Sequence, residues 1–215
     1  MLDIPCGQGQ FISTLQAFFP LVDARGCDLK LPEMADKRAF SQVDSSRPFT
    51  VFKGQKFDYI ISISGVMEFD NTLQFFESCE KQLAGQGTLI VTNDNVITVR
   101  DRIEYMLFGK VRQYSIFVKA GEATWKILPI QNLCRILNDA GFRAIKISYA
   151  SMKAKDYLWL PLVLPIYGIQ WLYMLRNRGA MSIRQTMMLY PFRALLYRHY
   201  LIVCKKRGDG DDFLP

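Results

Sequence analysis

From residue 1 to residue 92 short β-rich runs alternate with helical patterns, and that alternation admits few folds. Runs at 1–4, 22–27, 39–43, 59–63 (YIISI) and 88–92 (TLIVT) read as strands. The last two are continuously apolar, as strands covered on both faces are. Residues 10–19 carry apolar side chains at 11, 12, 15, 18 and 19, which is helical spacing, and Pro20 ends the run. A second helix is predicted over 31–39, with Pro32 in its first turn, and a third over 71–83. For the third, Asp70 offers an N-cap and Gly85 a left-handed stop. Strand–helix alternation at this pitch implies an α/β doubly wound parallel sheet with right-handed crossovers. Ligands of such sheets bind beyond the carboxyl ends of the strands, where the loops after the first, second and fourth strands meet.

The remainder is less regular. Helices are predicted over 96–108 and 130–140, the latter stopped by Gly141, with a basic and aromatic loop over 110–128 between them. Strands follow at 143–149 and 199–205. The domain is expected to occupy 1–206 with a helical insert at 151–197, leaving an Asp/Gly-rich tail over 207–215. Half of the residues are hydrophobic and 22% are charged, which excludes a disordered chain. Five dispersed cysteines without metal-ligand spacing indicate reduced thiols of a cytoplasmic protein, and no signal peptide is read at the start. His199, the single histidine, reads as structural, and no metal site is expected.

The opening segment LDIPCGQGQ joins a strand to a helix. Gly7 and Gly9 permit a tight turn and leave no Cβ in a ligand's way. A dinucleotide fingerprint needs a third glycine at position 12, where this chain has the bulky Ile12. Asp3, four residues ahead of Gly7, can hold a cationic amino group. Asp28, 19 positions after Gly9, stands where a carboxylate accepts hydrogen bonds from ribose hydroxyls, and Asp44 follows the third strand toward an adenine. Each aspartate taken singly reads as well as a cap or turn residue. Three at the carboxyl ends of adjacent strands beside a GxG turn argue for one ligand.

LDIPCGQGQF resembles the first motif of the class I S-adenosylmethionine-dependent methyltransferases. GCDLKLPEMADKRA resembles their second strand and following helix, and the stretch from FDYIISISGVMEF to GTLIVTNDNV is similar to their fourth and fifth strands. The segments NVITVRDRIEYMLFGK and LCRILNDAGFRAIKI resemble a small bacterial branch found with polysaccharide and lipid-linked sugar genes. The resemblance implies a Rossmann-like, seven-stranded, mostly parallel sheet with an antiparallel last strand, and S-adenosyl-L-methionine as cofactor. It assigns Asp3, Pro5, Cys6, Gly7 and Gly9 to the cofactor loop, Asp28 and Leu29 to the ribose, Asp44 to the adenine side, and Ser62, Ser64 and Gly65 to the cofactor's flank. It implies O-methylation of a sugar, lipid-linked or other small hydroxyl acceptor.

The departures are specific. Pro5 stands where the family has its first glycine, and Gln86 replaces a glycine before the fifth strand. Met67-Glu68 stands where the branch has Glu-His, so Glu68 becomes the candidate general base; a carboxylate favoured by a helix N-terminus is the plainer alternative. The family carries helices ahead of the first strand, whereas this sequence begins at that strand; the alternatives are a fragment, an internally set start or a more open site. A non-catalytic scaffold with the same fold is the rival reading.

Charge divides unevenly: residues 1–97 carry a net −4 and residues 98–215 a net +11. The second half therefore suits an anionic partner. Residues 157–175 (YLWLPLVLPIYGIQWLYML) hold no charge and are flanked by Lys153, Lys155, Arg176, Arg178 and Arg184. Their place between the last two strands argues against a membrane span. The expectation is a helical cap set partly on the active-site rim and partly against an anionic membrane surface over 153–184, the inner face of the membrane, with an internal lid or homodimer surface as the alternative. Nucleic acid is disfavoured, since no (N/D)PP(Y/F) motif and no known recognition motif is present.

Overall fold

The computed structural model describes residues 1–30, 39–110, 116–117, 126–177, 179, 181–208 and 213–214. The helix predicted over 31–39, most of the 110–128 loop, Arg178 and much of the tail lie outside the described residues.

Seven strands form one sheet: β1 (Leu2–Asp3), β2 (Arg25–Asp28), β3 (Phe40–Gln42), β4 (Phe57–Ile63), β5 (Leu83–Asp94), β6 (Phe142–Ala150) and β7 (His199–Lys206). Their order is β3-β2-β1-β4-β5-β7-β6. The first five run parallel, and β7 lies antiparallel to both β5 and β6. The reversal of strand order beside β1 makes the switch point, so the first loop opens there.

One face of the sheet is covered by α1 (Gln10–Phe18), which buries Ile12 with Cys6 and Ala24. The other carries the main core, where Leu2, Ile60 and Leu89 from the strands, with Ile4 just after β1, meet Phe75, Phe76 and Cys79 of α2 (Thr72–Gln82). Against α2 packs α4 (Ile130–Asp139), burying Ile130, Leu133 and Leu137. Each such side chain fully removed from water stabilises the fold by about 1.5–3 kcal/mol. The buried face of α2 is also polar. Gln82 Oε1 accepts from the Val51 amide at 2.8 Å and Ser78 Oγ from the Phe49 amide at 3.3 Å, satisfying backbone that enters β4.

Two helix-end expectations are corrected. The N-cap of α2 is Asn71, whose Oδ1 accepts from the Gln74 amide at 3.0 Å, and not Asp70 one residue earlier. Gly85 takes no left-handed conformation, because the chain leaves α2 at Leu83 already extended (φ −73°, ψ 139°) and enters β5 at once.

After β5 comes α3 (Val99–Phe108), capped by Thr98. The insert holds a short turn at Ala154–Trp159, then α5 (Leu160–Arg176) and α6 (Ile183–Leu189). Val99 of α3 and Val163 of α5 are buried in a second cluster with Leu195 and Leu196. The expected seat on the active-site rim is not what these contacts make: α5 rests on α3 and the 192–197 segment. The root of the insert is fastened by a buried pair, in which Arg198 donates from Nε and Nη2 to the two Asp156 oxygens at 2.6 Å each. The Lys153 amide donates to the same carboxylate at 2.8 Å, and the Arg198 amide to the Ser151 carbonyl at 2.9 Å.

The Arg198 hydrogen bond holds the Asp156 carboxyl below its ordinary range, so its stabilisation is present above that range and is lost on acidification. Asp156→Ala removes the carboxylate that accepts two Arg198 hydrogen bonds and is expected to lower stability by about 1.5–3 kcal/mol at neutral pH, the range for hydrogen bonds to a charged group. Urea denaturation checks this, and the gap to wild type should narrow as the pH falls through the carboxylate range.

Candidate functional site

Asp3, Asp28 and Ile63 end β1, β2 and β4, which lie side by side in the sheet, and the cleft lies beyond them. Its larger chamber is about 510 Å³, within the usual range for small-molecule pockets. A second chamber of about 300 Å³ adjoins it, sharing Pro5, Gly7 and Ile63 and reaching Asp3, Cys6 and Gln10.

The two loop glycines do different jobs. Gly7 (φ +52°) faces open space, so a side chain there would intrude on whatever the cleft holds. Gly9 (φ +75°) faces inward, and a Cβ would stand 3.1 Å from the Phe40 ring. Gly9 thus shapes the turn without lining the cleft. The missing third glycine is replaced from across the sheet: a Cβ on Gly26 of β2 would meet Ile12 Cδ1 at 2.8 Å and Phe40 at 2.7 Å. Bulk moved onto the helix is matched by bulk removed from the strand. Pro5 is accommodated likewise, since a Cβ on Gly65 would fall 2.4 Å from the proline ring.

Asp28 ties the loop down. Its Oδ2 accepts from the Gly7 amide at 2.8 Å and its Oδ1 from the Lys30 amide at 3.3 Å. Leu29 beside it lines the larger chamber, 58% exposed. Asp44 also lines it, while making an Asx turn to the Ser46 amide at 3.0 Å and an exposed pair with Arg47 at 3.2 Å. Ser64 holds the left-handed region at φ +55°, where a non-glycine residue is strained, with its amide directed to the Thr92 carbonyl at 3.1 Å. Ser62 departs from the expected set: its side chain is buried on the other side of β4, away from both chambers, and its hydroxyl has no partner among the described residues.

Glu68 faces the larger chamber from the turn after β4, four residues before α2 begins. It therefore stands outside the first turn of that helix, against the plainer expectation. Burial and then the charge of Asp28 raise its pKa. Met67, its neighbour, is buried in the core. Cys6 is no nucleophile, since burial and the nearby aspartates push its thiol up to about 12.

Asp3 carries the sharpest signal. It is 2% exposed, and Oδ1 has no hydrogen-bond partner among the described residues. Burial, then Asp28, raises its pKa to about 7. Four carboxylates, Asp3, Asp28, Asp44 and Glu68, border the two chambers, and no lysine or arginine among the described residues does. Among the described residues a phosphate-bearing ligand meets like charge here, whereas a cationic one meets complementary charge. Sequence reasoning missed Val43, Ser45, Ser46, Phe69, Gln8, Gln10 and Phe11 as lining residues. Most of them neighbour residues it did name, which is the signal that could have found them.

No protein-family model and no curated protein matches the sequence. Solved structures do match the fold. LepI in complex with S-adenosylmethionine is 9% identical with a TM-score of 0.54, covering 96% of this chain, which spans 42% of LepI. The O-methyltransferase of a trans-AT PKS multienzyme of Brevibacillus brevis, solved with S-adenosyl-L-homocysteine, is 17% identical with a TM-score of 0.55, over 96% of this chain and 66% of that one. The cyclase SpnF is 15% identical with a TM-score of 0.53, over 96% and 74%.

The contact between Pro5 and Gly65 is expected to be energetically coupled. Gly65→Ala should destabilise by about 1–3 kcal/mol, as overpacking does. The same change in a Pro5→Gly background should cost clearly less, and a double-mutant cycle of denaturation midpoints measures the difference.

Proposed function

The chain has the class I methyltransferase fold, and from that premise we propose that it binds S-adenosylmethionine in the acidic cleft and methylates a hydroxyl acceptor. The observation that carries this reading is the buried Asp3 carboxylate, whose Oδ1 has no partner among the described residues, beside a glycine turn in a cleft bordered by acids and by no described base. The cofactor's amino-acid end has an ammonium group for Asp3, and its ribose has hydroxyls for Asp28. Gly7, Leu29, Val43, Asp44 and Ser45, which line the larger chamber, would hold the adenosine. Bound there, S-adenosylmethionine supplies an electrophilic methyl group on a sulfonium.

Residues of this chain then have two tasks. Pro5, Ser64 and Gly65 form a fixed wall of the larger chamber that would orient an acceptor, and orientation supplies most of the rate in such a displacement. Glu68 takes the proton that the acceptor hydroxyl releases, and its raised pKa makes it a better base than an exposed glutamate. A sugar, lipid-linked or other small alcohol is the acceptor class that a carboxylate base serves. The second reading, a methyltransferase fold used without methyl transfer, is favoured by Met67, a core residue where the resemblance has the glutamate of a Glu-His pair.

Titration calorimetry with S-adenosylmethionine and S-adenosylhomocysteine tests the proposal, and absence of binding by the wild type at millimolar ligand would favour the second reading. Asp3→Asn is expected to weaken the cofactor about ten- to a hundredfold, the range for a charge-assisted hydrogen bond. The same variant should be more stable than wild type when ligand-free at pH 8. Because the folded-state pKa of Asp3 is raised to about 7, its favourable protonated form is lost as the pH climbs from 4 through 7. The stability advantage of Asp3→Asn should accordingly fade toward pH 4, as thermal melts across that window would show.

Glu68→Gln is expected to lower turnover on an accepted alcohol by about 10²–10⁴ while leaving cofactor affinity within a factor of about two. Unchanged turnover would reduce Glu68 to a turn residue.

A further inference from the structure

The solvent face of α5 contradicts what a surface helix should be. Its inward stripe is Leu160, Val163, Tyr167, Gln170 and Met174, of which only Val163 is fully buried. The opposite stripe should be polar. Instead it presents Pro161, Leu164, Pro165, Ile169, Leu172 and Tyr173 to solvent, and Leu164, Ile169, Leu172 and Tyr173 are 67–69% exposed. Ala154–Arg176 is long and apolar enough to cross a membrane, yet only 6% of its apolar window is buried. The patch continues onto α3, which runs beside α5: Arg102 donates to Gln170 Oε1 at 2.8 Å, and Tyr105, Met106, Leu107 and Phe108 beyond it are exposed. A continuous apolar surface of this kind marks a binding face.

Charge selects the occupant. Residues 151–206 contain nine lysines and arginines and one acid, Asp156. That acid is buried and already bound by Arg198. Lys153 and Lys155 at one end of the apolar helix, and Arg176 and Arg184 at the other, are exposed. A helix with an apolar outer face between basic ends matches a bilayer carrying anionic headgroups, with the face in the acyl boundary and the cations among the phosphates.

The topology fixes how it would lie. Ala150 and His199 pair with each other, and His199 pairs with Asp94 at the carboxyl end of β5, so the insert leaves and returns at one end of the sheet. A single crossing would put its two roots on opposite sides of a bilayer. The Asp156–Arg198 clamp keeps them together. The cleft opens at that same end of the sheet, beyond β1, β2 and β4.

We propose that α5, with the exposed end of α3, is a monotopic docking face for an anionic lipid bilayer, on which the helix lies in the plane of the surface. Flotation without cofactor or acceptor tests this, so its outcome is separate from that of the methyl-transfer reading. Wild type is expected to float with vesicles of phosphatidylcholine mixed with phosphatidylglycerol and far less with phosphatidylcholine alone. Lys153, Lys155, Arg176 and Arg184 changed to glutamate should weaken binding about fivefold for each positive charge removed. Leu164→Gln, Ile169→Gln and Leu172→Gln together, all exposed sites whose effect on the fold circular dichroism can check, should abolish flotation. The proposal is overturned if wild type stays unbound with both vesicle types, or if the triple glutamine variant floats as wild type does. It is equally overturned if light scattering shows a dimer that the triple variant disperses while vesicles are ignored, which would assign the face to a second copy of the chain.

Discussion

The loop between β1 and α1 lies against its neighbours only because side chains are absent at Gly26 and Gly65. On one side Ile12 and Phe40 fill the space a Cβ at 26 would need, and on the other the Pro5 ring fills the space of a Cβ at 65. Protein interiors are packed too tightly to absorb an additional carbon at such distances without movement. Seated this way, the loop turns the Gly7 amide toward Asp28, and that hydrogen bond joins the ends of β1 and β2 into one floor. The position of every other lining group is measured from that floor. The chain thus reaches a close helix–strand approach with two residues, Pro5 and Ile12, that a glycine-rich loop would exclude.

Electrostatics then decides what the floor can hold. A buried carboxylate with an unused oxygen is unstable alone, and a fold keeps one where a partner is to arrive. Burial first, and then the charge of Asp28, raises the proton affinity of both Asp3 and Glu68. Such a set of acids repels pyrophosphate and attracts an ammonium or sulfonium. The fold alone does not make that distinction, since sheets of this kind carry ligands of either charge.

The sheet was largely legible because its strands are short apolar runs whose covering on both faces leaves little ambiguity of period. Residues 83–87 hid the start of β5. Two glycines and a glutamine there lack strand character, and Phe57↔Leu83 is the pairing that draws their first residue into the sheet. For the same reason Gly85 looked like a helix stop, although the helix ends by turning straight into a strand. In the site, Asp3, Gly7, Asp28 and Asp44 could be placed because each follows a strand end at a readable spacing. Ser62 could not, because strand alternation shows that it opposes Ile61 and Ile63 but not which side faces the ligand. The exchange of bulk between Ile12 and Gly26 was invisible for a different reason: it is a contact between positions far apart in sequence, and no local pattern encodes it.

The pairing of Ala150 with His199 bears on how this chain can vary. Where two antiparallel strands are already registered at their ends, everything strung between them is, topologically, an oversized hairpin loop. Such a loop can lengthen, shorten or be exchanged without shifting any rung of the ladder behind it. The cleft-bearing half and the 151–198 segment are in that sense separable in register, although the segment also packs on α3 and the main core through Val163, Leu189, Ala194 and Leu195. A replacement that kept those packing contacts would change the surface the segment presents while leaving the residues that line the cleft in place.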